Sequence, residues 1–257
     1  MSNVLITGAS GGIGYELAKL FARDHHNLVL VARSADQLTR VGNELQTFGV
    51  TAKSITLDLT SPPAPKFLFD QLQREGTAID ILINNAGFGA FGEFASMAEE
   101  EILGQIKLNV TALTELTRLF LPPMIARRGG RIMNVASTAG FQPGPLMAVY
   151  YATKAYVISF SEAIANEVQK TGVTVTCFCP GATHTGFTQR AGNDKARLFK
   201  YAAMSADKVA LDGYRALMER RTLAISGTHN WLVAQSTRFA PRKIVTALSR
   251  WVSDVPK

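Results

Sequence analysis

Tyr150 and Lys154 stand four residues apart in Tyr150-Tyr151-Ala152-Thr153-Lys154. On a helix that spacing puts them on one face, one turn apart. A phenol beside an ammonium loses its proton more readily, because the positive charge favours the phenolate. Such a tyrosine can exchange a proton with an alcohol or ketone oxygen near neutral pH. Tyr151 would share its face with Ala155 and gains no such help, so Tyr150 is the candidate. The pair by itself equally fits a tyrosine stacked on a lysine stem at a helix surface. Ser137 lies just beyond a predicted strand over Arg131–Ala136, and ligands of open α/β sheets bind outside the C-terminal ends of strands. Asn109 falls inside a region that reads as helix from Ala98 to Arg127. There its side chain competes for backbone hydrogen bonds, so it caps or kinks the helix, or holds a water near the site.

The elements that must position these residues alternate between strand and helix. Asn3–Thr7 reads as a buried strand, and Thr7-Gly8-Ala9-Ser10-Gly11-Gly12-Ile13-Gly14 follows at once, before a helix over Tyr15–Arg23. Glycines after a strand let the backbone approach a phosphate, and the amides of the following helix face its charge; Ser10 can add a hydroxyl. The next strand, Asn27–Ala32, ends in Ala32-Arg33-Ser34. In dinucleotide folds an acid at this place binds the ribose 2′-hydroxyl, whereas an arginine accommodates a 2′-phosphate. Arg33 and Ser34, without an acid, point to NADP(H) rather than NAD. A surface helix over Ala35–Phe48 leads to a strand over Ala52–Leu57, which ends at Asp58-Leu59. Asp58 either accepts a hydrogen bond from an adenine amino group or caps the turn. A helix over Lys66–Arg74, with Phe67 and Leu68 inward, and a strand over Ile79–Ile83 precede Asn84-Asn85-Ala86-Gly87. Two amides and a glycine can tie neighbouring strands and admit a ribose. The Tyr150 helix runs to Thr171 with Phe160, Ile164 and Val168 on its buried stripe. A strand over Val173–Phe178 then reaches Pro180-Gly181, a helix follows over Ala206–Arg220, and a last strand over Thr222–Ile225.

With 257 residues, a net charge of +7 and 47% hydrophobic residues, the chain suits a single α/β domain with a substantial core. Cys177 and Cys179 are the only cysteines. Two apart on a strand, they face the same way and suit two buried thiols better than a disulfide. No metal site is expected. The basic residues are dispersed without a recognised motif, against nucleic-acid binding. No leader and no membrane-length apolar run is evident, so a cytoplasmic enzyme is expected.

Taken together, these motifs resemble the short-chain dehydrogenase/reductase family, in its short single-domain branch, over roughly residues 3 to 226. The resemblance implies a doubly wound parallel sheet (a Rossmann fold of about seven strands with helices on both faces) and a hydride transfer between NADP(H) and a ketone or secondary alcohol. It makes Tyr150 the general acid, Ser137 the group holding the substrate oxygen, and Lys154 the ligand of the nicotinamide ribose that lowers the Tyr150 pKa. Asn109 positions a water toward Lys154. The cofactor set it implies is Gly8, Ser10, Gly12, Ile13, Gly14, Arg33, Ser34, Asp58, Leu59, Asn85, Ala86, Gly87, Tyr150, Lys154, Pro180, Gly181, Thr183 and Thr185. It further implies a homodimer or homotetramer through the helices around Asn109 and Tyr150. A dinucleotide-binding sensor on the same fold is the alternative, although it would not need the full set of Asn109, Ser137, Tyr150 and Lys154.

Two segments lie outside these motifs. Residues 182–205, polar and glycine-spotted with interspersed aromatics, read as a substrate lid. Residues 227–257 read as an amphipathic extension in which Ile244, Val245, Leu248, Trp251 and Val252 recur at helical spacing among basic residues. A basic helix with tryptophan can lie on an anionic membrane, but such a stripe more often packs on its own domain or a second subunit, and that is the expectation. The tail is similar to that of reductases related to 3-ketoacyl and hydroxysteroid dehydrogenases, which hints at lipid-like substrates.

Overall fold

The computed structural model describes residues 1–186 and 203–254. Its centre is a seven-stranded parallel sheet in the order β3-β2-β1-β4-β5-β6-β9. The strands are β1 (Asn3–Thr7), β2 (Asn27–Ala32), β3 (Ala52–Thr56), β4 (Ile81–Asn84), β5 (Gly130–Val135), β6 (Val173–Cys179) and β9 (Leu223–Ile225). Near-continuous apolar runs make β1, β2 and β4, as a sheet covered on both faces requires, whereas the edge strand β3 mixes buried and exposed positions. Along β1 the side chains alternate between two cores. Val4 and Ile6 join Leu17, Phe21 and Leu30 on one face, and Leu5 joins Val29, Leu82, Leu116 and Phe120 on the other. The first face is covered by α1 (Gly12–Arg23), α2 (Ala35–Gln46) and α7 (Ala206–Met218). The second is covered by α3 (Ala64–Arg74), α5 (Leu113–Ala126) and α6 (Ala148–Glu167).

Strand order reverses between β1 and β4, and this opens the crevice in which open α/β sheets bind ligands. The helix expected over Ala98–Arg127 is three pieces: α4 (Glu99–Ile106), a π-helical turn Lys107–Ala112, and α5. Asn109 sits in the π-helical turn, whose wider hydrogen-bond spacing is a common accompaniment of functional sites. Phe67 was expected inward but is 49% exposed. The inward stripe of α3 is Ala64, Leu68 and Leu72 at four-residue spacing, which turns Phe67 outward. On α6 the buried face carries Lys154, Val157, Ile158, Ser161 and Ala165. Of the expected stripe, Val168 is buried, while Phe160 and Ile164 are half-buried at the edges of the cores.

A short parallel pair, β7 (Thr183–His184) with β8 (Met204–Ser205), joins the two ends of the segment expected to be a lid. Residues 187–202 of that segment lie outside the described residues. Beyond β9 come α8 (Thr228–Ser236) and α9 (Arg242–Ser253). The apolar stripe of α9 packs on its own domain only in part: Ser249 and Ser253 are buried and Val245 and Val252 half-buried, whereas Ile244 and Leu248 are exposed.

Candidate active site

The glycine loop is fastened where β1 and β4 diverge. Thr7 Oγ1 accepts hydrogen bonds from the Asn85 and Ala86 amides at 3.0 Å each. Asn85 Nδ2 donates back to the Thr7 and Gly8 carbonyls at 2.9 and 3.2 Å. Gly8 and Gly12 have φ of +68° and +56°, a region that disfavours any side chain. A Cβ on Gly14 would overlap the Gly8 carbonyl oxygen, whereas one on Gly11 would stand in open space. The loop is thus tight on its protein side and open on its cavity side. No side chain caps α1 or α2, so the first-turn amides of α1 and the hydroxyl of Ser34, the N-cap of α2, are left for a ligand. Asp58 fulfils the turn-capping expectation: its Oδ1 accepts from the Thr60 amide at 2.9 Å and the Thr60 hydroxyl at 2.8 Å.

On the other side of the crevice, β5 and α6 bring Ser137, Tyr150 and Lys154 together. Ser137 caps a short 3-10 turn, Thr138–Phe141, its Oγ accepting from the Ala139 amide at 3.1 Å. The Ser137 hydroxyl donates to the Pro180 carbonyl at 3.5 Å and lies near enough to the Tyr150 phenol to favour its ionised form. Lys154 is 4% exposed, and its Nζ donates to the Val135 carbonyl at 2.8 Å. Burial lowers the Lys154 pKa to about 8, against the opposing influence of the Cys179 and Cys177 thiols behind it. These thiols are free and buried on one face, Sγ to Sγ 3.8 Å.

Tyr150 behaves otherwise than expected. Burial raises its pKa above the ordinary phenol value, the nearby Ser137 hydroxyl pulls it back, and Tyr151 adds to the rise; Lys154 does not offset it. The reason is geometric. The ammonium lies 5.8 Å from the centre of the Tyr150 ring and is committed to a β5 carbonyl, so the cost of burying a phenolate outweighs its attraction.

Asn109 is 1% exposed. Its Oδ1 accepts from the Phe88 amide at 3.1 Å, and its Nδ2 donates to the Phe88 carbonyl at 2.8 Å and to Thr153 Oγ1 at 3.1 Å. The side chain therefore ties the segment after β4 to α6. Of the residues singled out in the sequence, only Asn109 and Gly14 do not line the large cavity that fills the crevice; Gly8, Ser10, Gly12, Ile13, Arg33, Ser34, Asp58, Leu59, Asn85, Ala86, Gly87, Ser137, Tyr150, Lys154, Pro180, Gly181, Thr183 and Thr185 all do. Thr185 closes over the glycine loop, since a Cβ on Gly12 would meet its Cγ2 at 3.1 Å. Thr183 Oγ1 donates to the Gly181 carbonyl at 2.9 Å.

The cavity holds about 860 Å³ and extends past Tyr150 to a wall that sequence reasoning missed. Met147 and Tyr151 of the α6 entrance form one side, and Val233, Leu248 and Trp251 of α8 and α9 the other. Ser249 and Ser253 of α9 face the Tyr151 phenol and pull its pKa down against the larger effect of burial. The signal available was the pair of serines one helical turn apart, small and polar on an otherwise apolar helix. Also missed was a buried amide chain. Asn84 Nδ2 donates to Asn134 Oδ1 at 2.9 Å and to Thr117 Oγ1 at 3.1 Å, and Asn134 Nδ2 donates to Ser161 Oγ at 3.0 Å. It links β4, β5 and α6 beneath the site.

Residues 2–196 match the family model described as short chain dehydrogenase. The chain is 34% identical to ketoacyl reductase HetN of Nostoc sp. over 236 residues, covering 91% of this chain and 81% of the relative. Among solved structures, a short-chain dehydrogenase from Sphingobium yanoikuyae in complex with NADPH is 35% identical with a TM-score of 0.84, covering 93% of this chain and 94% of that one. The bulky-bulky ketone specific alcohol dehydrogenase from Comamonas testosteroni is 30% identical with a TM-score of 0.79, covering 93% and 92%. On sequence and architecture alike, the chain belongs to the short-chain dehydrogenases, oxidoreductases that work between a nicotinamide dinucleotide and a ketone or alcohol.

Proposed function

We propose that the chain is an NADPH-dependent reductase of ketones with large apolar substituents, and in reverse a dehydrogenase of the matching secondary alcohols. The observation that carries this reading is the neighbouring hydroxyls of Ser137 and Tyr150 on one cavity wall, together with the buried Lys154. The residues present fit the dinucleotide: an open cradle at Gly11, uncapped helix amides, and Arg33 with Ser34 where a 2′-phosphate would lie. Arg33 has no ion-pair partner among the described residues. The NADPH-bound relative at 35% identity supports the same preference.

When bound, the nicotinamide supplies the hydride to the carbonyl carbon. Tyr150, kept protonated by its raised pKa, gives its proton to the substrate oxygen. Ser137 hydrogen-bonds that oxygen and stabilises the charge that develops on it. Lys154 presents a fixed ammonium to the ribose and to the tyrosine as it loses its proton. Asp58 and Leu59 receive the adenine. Asn85, Ala86 and Gly87 let the ribose approach, and Pro180, Gly181, Thr183 and Thr185 close over the nicotinamide end. Asn109 is a positioning residue: its side chain, engaged by Phe88 and Thr153, ties the segment after β4 to the helix that carries Tyr150 and Lys154. Assembly as a homodimer or homotetramer is part of the reading, supported by Leu103 and Ile106 on α4 and Tyr156 on α6, all exposed.

The preference for large apolar ketones rests on the wall built by Met147, Tyr151, Val233, Leu248 and Trp251. It agrees with the names of the ketoacyl reductase and bulky-ketone relatives. The test is NADPH consumption against acyl-thioester, steroid, cyclic and small aliphatic ketones, with Tyr150→Phe in parallel. Turnover of the larger ketones is expected, with kcat reduced roughly 10²- to 10⁴-fold in the variant. Equal rates in both proteins would remove Tyr150 as the proton donor; NADPH binding without turnover of any ketone would favour a sensor.

A further inference from the structure

The C-terminal helices turn an apolar face outward. Among the described residues, seven of the fourteen large exposed hydrophobic side chains lie between Trp231 and Trp251. Phe239 is 88% exposed, Ile244 61% and Leu248 58%. Concentration of this kind marks an interaction surface, whereas scattered single residues do not. On α9, Ser249 and Ser253 are buried and Val245 and Val252 half-buried, while Ile244 and Leu248 stay exposed at the cavity rim, as on a helix whose apolar side is only partly covered by its own domain.

Charge identifies the partner. From Gly227 to Ser253 the chain has no Asp or Glu and four basic residues. Arg250 is engaged by Glu93 and Asp254. Arg238, Arg242 and Lys243 are exposed and make no ion pair among the described residues. A second copy meeting this face about a two-fold axis would bring two sets of these cations into one interface with no Asp or Glu of the segment to pair them. An anionic lipid surface complements them and accepts the aromatic and aliphatic side chains at the headgroup boundary. No described helix is long and apolar enough to cross a membrane, so the contact is peripheral.

We infer that the exposed side chains of Phe239, Ile244 and Leu248, with the neighbouring cations Arg238, Arg242 and Lys243, dock the protein on an anionic lipid surface. Ile244 and Leu248 also line the cavity, so the docked cavity opens toward the lipid. On the reading given above, an apolar ketone then passes from bilayer to Tyr150 without crossing bulk water.

The experiment is co-sedimentation of the full chain with phosphatidylcholine vesicles, with and without phosphatidylserine, at low and high salt. Wild type is expected to pellet only with the anionic vesicles and to be released by salt. Combined Arg238→Glu, Arg242→Glu and Lys243→Glu should weaken binding by at least on the order of 100-fold. Phe239→Ser should weaken it without altering salt sensitivity. Thermal unfolding checks that both variants are folded. Tyr150→Phe should bind as wild type does, so that loss of the reductase reading and loss of this one are separate results. Wild type remaining in the supernatant, or equal binding by the triple variant, would overturn the inference. So would a concentration-dependent dimer in solution that the variants abolish, which would give the face to a second copy.

Discussion

The two ends of the cavity are built on opposite plans. At the glycine-loop end, fixation is by backbone and short polar side chains: Thr7, Asn85 and the Gly8 carbonyl form a closed set of hydrogen bonds between β1 and β4. At the far end, two helices attached after the last strand supply apolar side chains, with polar contacts such as Asn230 to the Ser226 carbonyl and Arg250 to Glu93. The first plan fixes a ligand of constant shape. The second leaves room, and permits side-chain change without disturbing the sheet. An interaction with a charged group is worth more than partial contact with an exposed aliphatic one, so substitutions at the two ends should differ in size as well as in kind.

The largest contrast is expected from Arg33→Ala. Loss of a charged contact to a 2′-phosphate should raise the KM for NADPH roughly 10- to 100-fold, leave that for NADH nearly unchanged, and not alter the ranking of ketones. Initial rates at varied cofactor would show it, and an equal rise for both cofactors would place Arg33 outside the phosphate contact.

A pH series separates the catalytic pair from both ends. Tyr150, raised above the ordinary phenol value, stays protonated through the neutral range, while Lys154 loses its proton near pH 8. Reduction should therefore be level below pH 8 and fall above it, by up to about tenfold per unit. A limb that instead rises with pH would mean the lysine acts as the neutral amine.

The smallest effect belongs to the wall. Leu248→Ala should lower kcat/KM for a bulky ketone only several-fold, since Leu248 is 58% exposed, and spare a small ketone and the NADPH KM. Loss of activity toward all substrates alike would indicate that α9 supports the site as a whole.

What could be read from the sequence follows the same division. Gly8–Gly14 and Asn84–Gly87 are contiguous, and their chemistry is local, so each announces a turn or an anchor by its own residues. Arg33 and Ser34 depend only on the end of one strand. The seven-stranded sheet was legible from apolar runs, with errors confined to strand ends. Phe67 was misplaced because adjacent residues on a helix differ by about 100°, and either of two neighbours satisfies a short pattern. The Asn84–Asn134–Ser161 chain joins residues far apart in sequence, and no spacing rule reports such a meeting. The raised Tyr150 pKa was missed for a related reason: the Tyr-x-x-x-Lys spacing fixes a face but not where the ammonium points, and here it points at the Val135 carbonyl.

The sheet is complete at Ile225, and the wall opposite Tyr150 begins only after it. The chain therefore carries the two halves of its recognition in series, with Ser226 and Gly227 as the joint. A chimera cut at that joint would exchange one wall for another while leaving the glycine loop and the Ser137, Tyr150 and Lys154 positions in the retained half, with Asn230 against Gly181 as the contact that a new tail has to reproduce.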